Sequence, residues 1–400
     1  MARRLGIEWS GWLDEETPIK SLACLLLASL LAACASAPEL RPERLFNDQL
    51  FRAASARISA DDVFAVSDDM KHYLRTEFTG ALRTKDRQQG LFEALYGSGQ
   101  LKLDYDSAMT RNAAEAFAAR SGNCLSLVIM TAAFAKELGL YTRYQSVIIE
   151  ETWSRSGDIY LAVGHVNLTL GRKQVDGGFG HAETDLMTID FLPPQDIRHQ
   201  RVRVIGEETL VAMYMNNRAV EALTAGEIDD AYWWAREAVR QDPKFLGAYN
   251  TLGVVYQRHR NPEAADGVLR YVLDVEPANI HAMSNLAAVL KDSGRVAEAA
   301  ALTRKLAEIE PDPPFKFYHL GIAALENGDY RAARDLFAKE VDRAAYYHEF
   351  HFWLAIAHLG LGETRQARKH MTLAMENSTT RGDHNLYAAK LDRIKSSHLQ

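Results

Sequence analysis

The chain has 400 residues, enough for two or three domains with cores of their own. Apolar residues make up 47% and charged residues 25%, which excludes a disordered or fibrous chain. The net charge of -7 gives no general attraction to nucleic acid, so no nucleic-acid partner is expected.

Near the N-terminus, Lys20 precedes an apolar stretch from Leu22 to Leu31, which ends in Leu31-Ala32-Ala33-Cys34. The stretch is shorter than the roughly 20 apolar residues of a membrane-spanning helix. It has the length of a signal-peptide core followed by small residues at a cleavage site. The tetrapeptide resembles the lipobox of bacterial lipoproteins. That resemblance implies cleavage of residues 1–33 and lipidation of Cys34, which becomes the first residue of the mature chain. The membrane is then a partner through the lipid, and the protein faces the periplasm. Ala35 in the next position favours the outer membrane, again by resemblance. Pro38 and Pro42 suggest a tether over residues 34–60, with a short helix between Glu43 and Arg57.

Residues 61–205 read as an α+β domain. Helical periodicity runs over 61–83, 86–96, 106–120 and 124–138, the last stopped by Gly139. The period then changes to two, and 141–151, 159–170 and 186–192 read as strands rich in β-branched and aromatic residues. Helices followed by a run of antiparallel strands is an α+β pattern.

Cys124 is the only cysteine outside the N-terminal segment, so it has no intramolecular disulfide partner there. It follows Ser121-Gly122-Asn123 and precedes the apolar run Leu127-Val128-Ile129-Met130. Asn123 is a candidate N-cap, which puts Cys124 in the first helical turn. The positive end of the helix dipole there favours a thiolate, the nucleophilic form. A free cysteine is also a small buried hydrophobe, and the residues around it leave both readings open. No Gly-x-Ser-x-Gly elbow, P-loop or His-Glu-x-x-His motif offers another chemistry.

The segment from Asn112 to Cys124, the Leu138-Gly139-Leu140 turn and Thr142-Arg143-Tyr144 together resemble the transglutaminase-like branch of the papain-fold cysteine enzymes. The resemblance spans roughly residues 105–194. It implies a papain-like α+β fold and a catalytic triad of Cys124, His165 in Gly164-His165-Val166-Asn167, and Asp190 in Thr188-Ile189-Asp190. It implies no cofactor. The family usually carries a large aromatic just after the histidine, where this chain has Val166-Asn167. Read as one strand over 159–170, His165 shares a face with Leu161, Val163, Asn167 and Thr169. Asp176 is an alternative acid, in a glycine-rich polar connection from Gly171 to Asp185 that has the length of a lid. The connection also holds His181, Glu183 and Asp185, whose spacing fits no metal pattern, and no metal is assigned.

From Ala212 the chain repeats itself. Ala231, Ala265, Ala299, Ala333 and Ala367 lie 34 residues apart, and Pro243, Pro277 and Pro311 keep that spacing. Gly226, Gly294, Gly328 and Gly362 share one phase, with Arg260 in place of glycine once. Tyr249, Leu252, Gly253, Tyr256, Ala265 and Pro277 fit the tetratricopeptide (TPR) pattern, whose period is 34. The expected architecture is an all-α superhelical solenoid of five helix pairs over 206–381, with a capping helix or tail at 382–400. In such arrays the first helix of each pair lines a groove for a protein or peptide ligand. The fifth positions are Asn216, Asn250, Ser284, Tyr318 and Phe352, and the ninth include Ile322 and Ile356. Tyr318, Phe352, Ile322 and Ile356 form an apolar stripe and are the candidate partner-binding residues.

The expected protein is a cell-envelope lipoprotein with a cysteine-dependent amide or peptide hydrolase-like domain and a partner-binding solenoid. The alternative is an interaction scaffold that keeps the transglutaminase-like fold without its chemistry.

Overall fold

The structure is a computed structural model. It describes residues 42–78, 86–97, 101, 103–107, 109–148, 153–156, 159–162, 164–171, 186–191 and 201–396. The leader, Cys34, most of the tether and the 172–185 connection with Asp176, His181, Glu183 and Asp185 lie outside the described residues. The chain divides into residues 1–43, of which Pro42 and Glu43 are described, and residues 44–400. No helix among the described residues is long and apolar enough to cross a membrane.

The segment expected to be a helix after Glu43 forms two 3-10 turns, Pro42–Leu45 and Asp48–Leu50, and then runs extended. Apart from the bonds within these turns, its backbone N–H groups donate to solenoid side chains. Asn47 N–H donates to the Tyr232 hydroxyl at 2.9 Å, and Ser55 N–H to Asp230 at 2.7 Å. Phe51 stacks on Tyr232 with ring centres 3.9 Å apart. The next expected helix, 61–83, is described only to Phe78, and over that part it is broken into pieces. It becomes a 3-10 turn at Ala60–Asp62, helix α1 at Asp68–Tyr73 capped by Ser67, and one π-helical turn at Leu74–Phe78.

Helix α2 is Arg87–Tyr96, with Asp86 as its cap. Strand β1 (Asp104–Tyr105) and helix α3 (Ala113–Ala119) replace the single helix expected over 106–120. Residues 106, 107 and 109–112 are not helical, and the N–H groups of Thr110 and Arg111 donate to Glu221 and Ser126 on neighbouring elements. Strand β2 (Ser121–Gly122) pairs in parallel with β1. Helix α4 (Cys124–Glu137) follows, with Cys124 to Ala135 all buried.

Strands β3 (Tyr141–Ile148), β4 (Trp153–Ser156), β5 (Ile159–Ala162), β6 (His165–Gly171), β7 (Met187–Ile189) and β8 (Arg201–Ile205) complete this part. The main sheet is antiparallel in the order β7–β6–β3–β8, while β4 and β5 form a separate hairpin. The strand expected over 159–170 is thus two strands in two sheets, with Gly164 between them. Leu161 consequently does not share a sheet face with His165. Strand β8 was not expected: Arg-Val-Arg-Val-Ile alternates, but its outward valines, Val202 and Val204, are exposed at the edge of the sheet. On β6 all residues are buried. Val166, Leu168 and Leu170 join the hydrophobic core, and His165, Asn167 and Thr169 form the alternate, polar row.

The solenoid follows. Its helices are α5 (Glu207–Ala225), α6 (Ile228–Gln241), α7 (Leu246–Arg258), α8 (Pro262–Val275), α9 (Ile280–Asp292), α10 (Val296–Ile309), α11 (Lys316–Glu326), α12 (Tyr330–Arg343), α13 (His348–Gly360) and α14 (Thr364–Glu376). Helix α15 (Arg381–Ser396) packs on the last pair. The 34-residue alanines are all buried, where small side chains let paired helices approach. The phased glycines have φ between +75° and +80°, and Arg260 holds the same left-handed turn at +62°.

Two predictions follow from this packing. A Cβ on Gly321 would sit 2.7 Å from the fully buried Phe337 ring, whereas one on Gly267, inside α8, would meet nothing within 4 Å. Gly321→Ala is expected to destabilise by about 1–3 kcal/mol through overpacking. Gly267→Ala is expected to stabilise by about 0.5–1 kcal/mol through helix propensity. Urea unfolding of the two variants, read against the parent, checks the opposite signs.

The second concerns the fifth repeat, where His351, His370 and His358 stack with ring centres 5.3 and 5.5 Å apart. His351 Nδ1 and His370 Nδ1 share one hydrogen bond at 3.1 Å, which needs one donor and one acceptor, so both rings cannot be protonated. Burial, then the charges of His351, His358 and Lys369, lower the pKa of His370 to about 4. A depressed histidine contributes stability that is present above the unfolded value of about 6.5 and is lost as pH falls toward 4. The thermal midpoint of the parent should therefore drop more between pH 7 and pH 4.5 than that of His370→Leu. Equal drops would count against this coupling.

Candidate functional site

The first turn of α4 presents Cys124. Asn123 caps the helix, its Oδ1 accepting from Ser126 N–H at 2.9 Å. Gly122 is required two residues earlier, because a Cβ there would lie 2.6 Å from the Ser126 side chain. Ser126 is fully buried, and its hydroxyl accepts from Arg111 N–H at 2.8 Å and donates to Asn123 Oδ1. Cys124 is the one free cysteine among the described residues and is 7% exposed.

Strand β6 starts at His165, whose ring is buried. Its Nε2 meets Asp190 Oδ1 at 2.6 Å, just past the end of β7. Cys124 is the other group that acts on the ring, and with Nε2 engaged Nδ1 is the nitrogen left for it. Burial alone lowers the histidine's pKa. Hydrogen bonds to Asp190 and Cys124 and their negative charge outweigh it and push the value up to about 9. The structure therefore brings Cys124, His165 and Asp190 together.

Two further residues join them. Tyr105 lies opposite Gly122 in the β1–β2 pair, which sets its hydroxyl beside the backbone N–H of Cys124. Desolvation of the hydroxyl and the nearby Cys124 raise its pKa, although the residue as a whole is 42% exposed. Asn167, two residues after His165, donates from Nδ2 to Asp190 Oδ2 at 3.0 Å. Neither residue was assigned a role from the sequence. Tyr105 is brought close by a two-residue strand that leaves no periodicity. Asn167 shows only as a polar residue on the histidine's side of the strand.

Thr110 ties this site to the solenoid. Its hydroxyl accepts from Asn123 Nδ2 at 2.9 Å and from Asn217 Nδ2 at 3.2 Å, its N–H donates to Glu221, and its carbonyl accepts from Arg218. Asn217, Arg218 and Glu221 all belong to α5. From the same loop, Ser107 N–H and hydroxyl both reach Thr379 O, between α14 and α15.

The expected apolar stripe of the groove is largely packed away. Tyr318 is 4% exposed, in a core with Phe315, Phe337 and Phe350, and its hydroxyl donates to Glu349 at 2.9 Å. Phe352 stacks on Tyr387 of α15, and Ile356 packs in the same cluster. The last repeat would otherwise leave this face open, and the capping helix covers it. Ile322 is half-buried against the core around Tyr318. Nearer the α/β part the groove positions are polar, and Asn285 Nδ2 donates to Asn250 Oδ1 at 3.0 Å. No group of three or more ligands suited to a metal occurs among the described residues.

The tetratricopeptide repeat family profile matches residues 250–314 and 318–378. A search of curated proteins gives no match. Among solved structures, PilF of Pseudomonas aeruginosa is 20% identical over 47% of this chain and 85% of its own, with a TM-score of 0.29. MamA of Desulfovibrio magneticus RS-1 is 20% identical over 43% and 96%, with a TM-score of 0.25. YrrB, described as a TPR protein with an unusual peptide-binding site, is 17% identical over 45% and 92%, with a TM-score of 0.24. At such scores these likenesses carry no weight beyond the repeat pattern itself. The profile match, the buried alanines and the left-handed turns agree that the C-terminal solenoid of this chain is built of tetratricopeptide repeats.

Proposed function

We propose that Cys124, His165 and Asp190 form a cysteine-dependent acyl-transfer site in a transglutaminase-like α+β domain, and that the TPR solenoid binds a protein or peptide partner. The observation that carries the chemical reading is the 2.6 Å contact of His165 Nε2 with Asp190, on a ring that Cys124 also influences. The imidazole takes the thiol proton, and Asp190 orients the ring and stabilises its positive form. The thiolate attacks an amide carbonyl. The carbonyl oxygen becomes negative near the N-terminus of α4, whose positive dipole end favours that charge. The tetrahedral adduct collapses as His165 returns its proton to the leaving amine, giving a thioester. Water, deprotonated by His165, then releases the acid and restores the thiol. An amine in place of water makes the product a new amide. No step requires a cofactor.

In this reading the chain is exported, cut before Cys34 and lipidated there, and held at the cell envelope facing the periplasm, on the outer membrane. The support is the Leu31-Ala32-Ala33-Cys34 sequence. Intact-mass analysis of membrane fractions tests it, and a retained leader or an unmodified Cys34 overturns it.

The second reading is an interaction scaffold without turnover. The TPR profile match favours it, because that match bears on partner binding and not on chemistry.

The rate of iodoacetamide modification of Cys124 against pH, followed by mass spectrometry of its peptide, separates the readings. An ion-paired thiolate reacts at pH 6 far faster than a free thiol, whose pKa is about 8.5. His165→Ala should shift the profile toward that free value, and Asp190→Ala should do so less. Asp176→Ala tests the alternative acid and should change little. The raised pKa of His165 also predicts that its protonated form stabilises the fold fully below about pH 6.5, with that contribution lost as pH rises through about 9. A parent profile like that of a free thiol, unmoved by His165→Ala, leaves the scaffold reading.

A further inference from the structure

The polar row on β6 contains one residue that the triad does not account for. Asn167 is 3% exposed. Its Nδ2 donates to Asp190 Oδ2 at 3.0 Å, while the other carboxylate oxygen, Oδ1, meets His165 Nε2 at 2.6 Å. The register explains the meeting: Leu168 lies opposite Ile189, so Asn167 lies opposite Asp190, one step past the strand end. The amide orientation is fixed by chemistry, because turning Oδ1 toward Asp190 would set two acceptors against each other. Asn167 Oδ1 is then buried with no hydrogen-bond partner among the described residues.

That orphan acceptor is informative. A buried carbonyl without a donor is costly, and an apolar residue of the same size would fill the position without that cost. Packing alone does not call for an amide here. The same strand gives the contrast: Thr169, two residues on, pairs with the Thr188 hydroxyl at 2.9 Å and serves only its neighbours. Asp190, for its part, stands beyond the last ladder residue of β7. A second donor on Oδ2 fixes the plane of the carboxylate and so the direction in which Oδ1 faces the imidazole.

We propose that Asn167 is the positioning residue of the Cys124–His165–Asp190 site: it locks the Asp190 carboxylate so that His165 presents Nδ1 to the thiol. This rests on the acyl-transfer reading above. Asn167 touches neither the thiol nor the site of a reacting carbonyl, and it acts through Asp190 alone.

The test uses the full chain and two readouts. The first is the pKa of the His165 imidazole, followed by NMR with isotope-labelled histidine and assigned by its loss in His165→Ala. The second is the rate of iodoacetamide modification of Cys124 at pH 6 and pH 7. Asn167→Leu should lower the His165 pKa, by less than Asp190→Ala does, and slow modification about 3- to 10-fold. In an Asp190→Ala background, Asn167→Leu should have no further effect on either readout, since the carboxylate it positions is gone. A purely structural role would instead lower the thermal midpoint alike in both backgrounds and leave the imidazole titration unmoved. Asn167→Gln, which keeps the donor, should fall between Asn167→Leu and the parent. An unchanged His165 pKa in Asn167→Leu, or an equal effect with and without Asp190, overturns the proposal. A thiol that titrates as free in the parent, with His165 still raised and still sensitive to Asn167, would overturn the acyl-transfer reading and leave the positioning of His165 standing.

Discussion

Helix α4 is buried along twelve consecutive residues from Cys124, and a helix buried in this way cannot leave the N–H groups of its first turn to water. The chain meets that constraint with side chains gathered from distant positions. Asn123 takes the Ser126 N–H, and Tyr105 stands at the N–H of Cys124. The amide of Asn123 needs its own acceptor and finds Thr110. Thr110 is then held by three residues of α5, the first solenoid helix. Capping one buried helix thus accounts for the hydrogen bonds of Thr110 and Arg111, the glycine at 122 and one attachment of the solenoid. It also leaves Cys124 at a helix N-terminus and near an imidazole.

The parts of this fold that could be read from sequence are those held by local or periodic constraints. The alanines repeat because every helix pair crosses in the same way, and the phased glycines because every pair turns in the left-handed region. Arg260 shows that the turn, and not the glycine, is what the repeat demands. The cap at Asn123 was legible for the same reason, whereas the order of cysteine, histidine and aspartate rested on the family resemblance. What stayed hidden depends on contacts distant in sequence. The alternation over 159–170 does not reveal that its two halves join different sheets, since a strand keeps period two whichever neighbour it pairs with. Tyr318 sits at a groove position by count, yet the fourth repeat draws its ring into the core with Phe315 and Phe350. Phe352 and Ile356 looked like a ligand surface because the helix that covers them, α15, lies beyond the repeat period.

The polar side of β6 adds a second kind of evidence. His165, Asn167 and Thr169 are all buried, and a buried polar row costs free energy unless its groups are paired. Thr169 and His165 find partners at 2.9 and 2.6 Å. The imidazole gains further from two acidic neighbours, which is why its pKa rises despite burial. A core histidine kept only for packing would be expected to stay neutral, since desolvation alone favours the uncharged ring. The direction of the shift therefore separates His165 from His348 and His351 in the solenoid, where burial dominates and the pKa falls.

The loop from Ser107 to Arg111 is where both parts of the chain bear on the thiol. One end hydrogen-bonds Thr379 after the last helix pair, and the other is clasped by α5 at the start of the first. Between them, Arg111 N–H and the Thr110 hydroxyl hold Ser126 and Asn123, the residues that cap the cysteine helix. A repeat array is a chain of nearest-neighbour interfaces, so a ligand that alters its curvature changes the relation between its first and last pairs. In this protein those two pairs grip the same short loop. The two ends of the array therefore meet at the residues that cap the cysteine helix, through the hydrogen bonds of Ser107 to Thr379 and of Thr110 to α5.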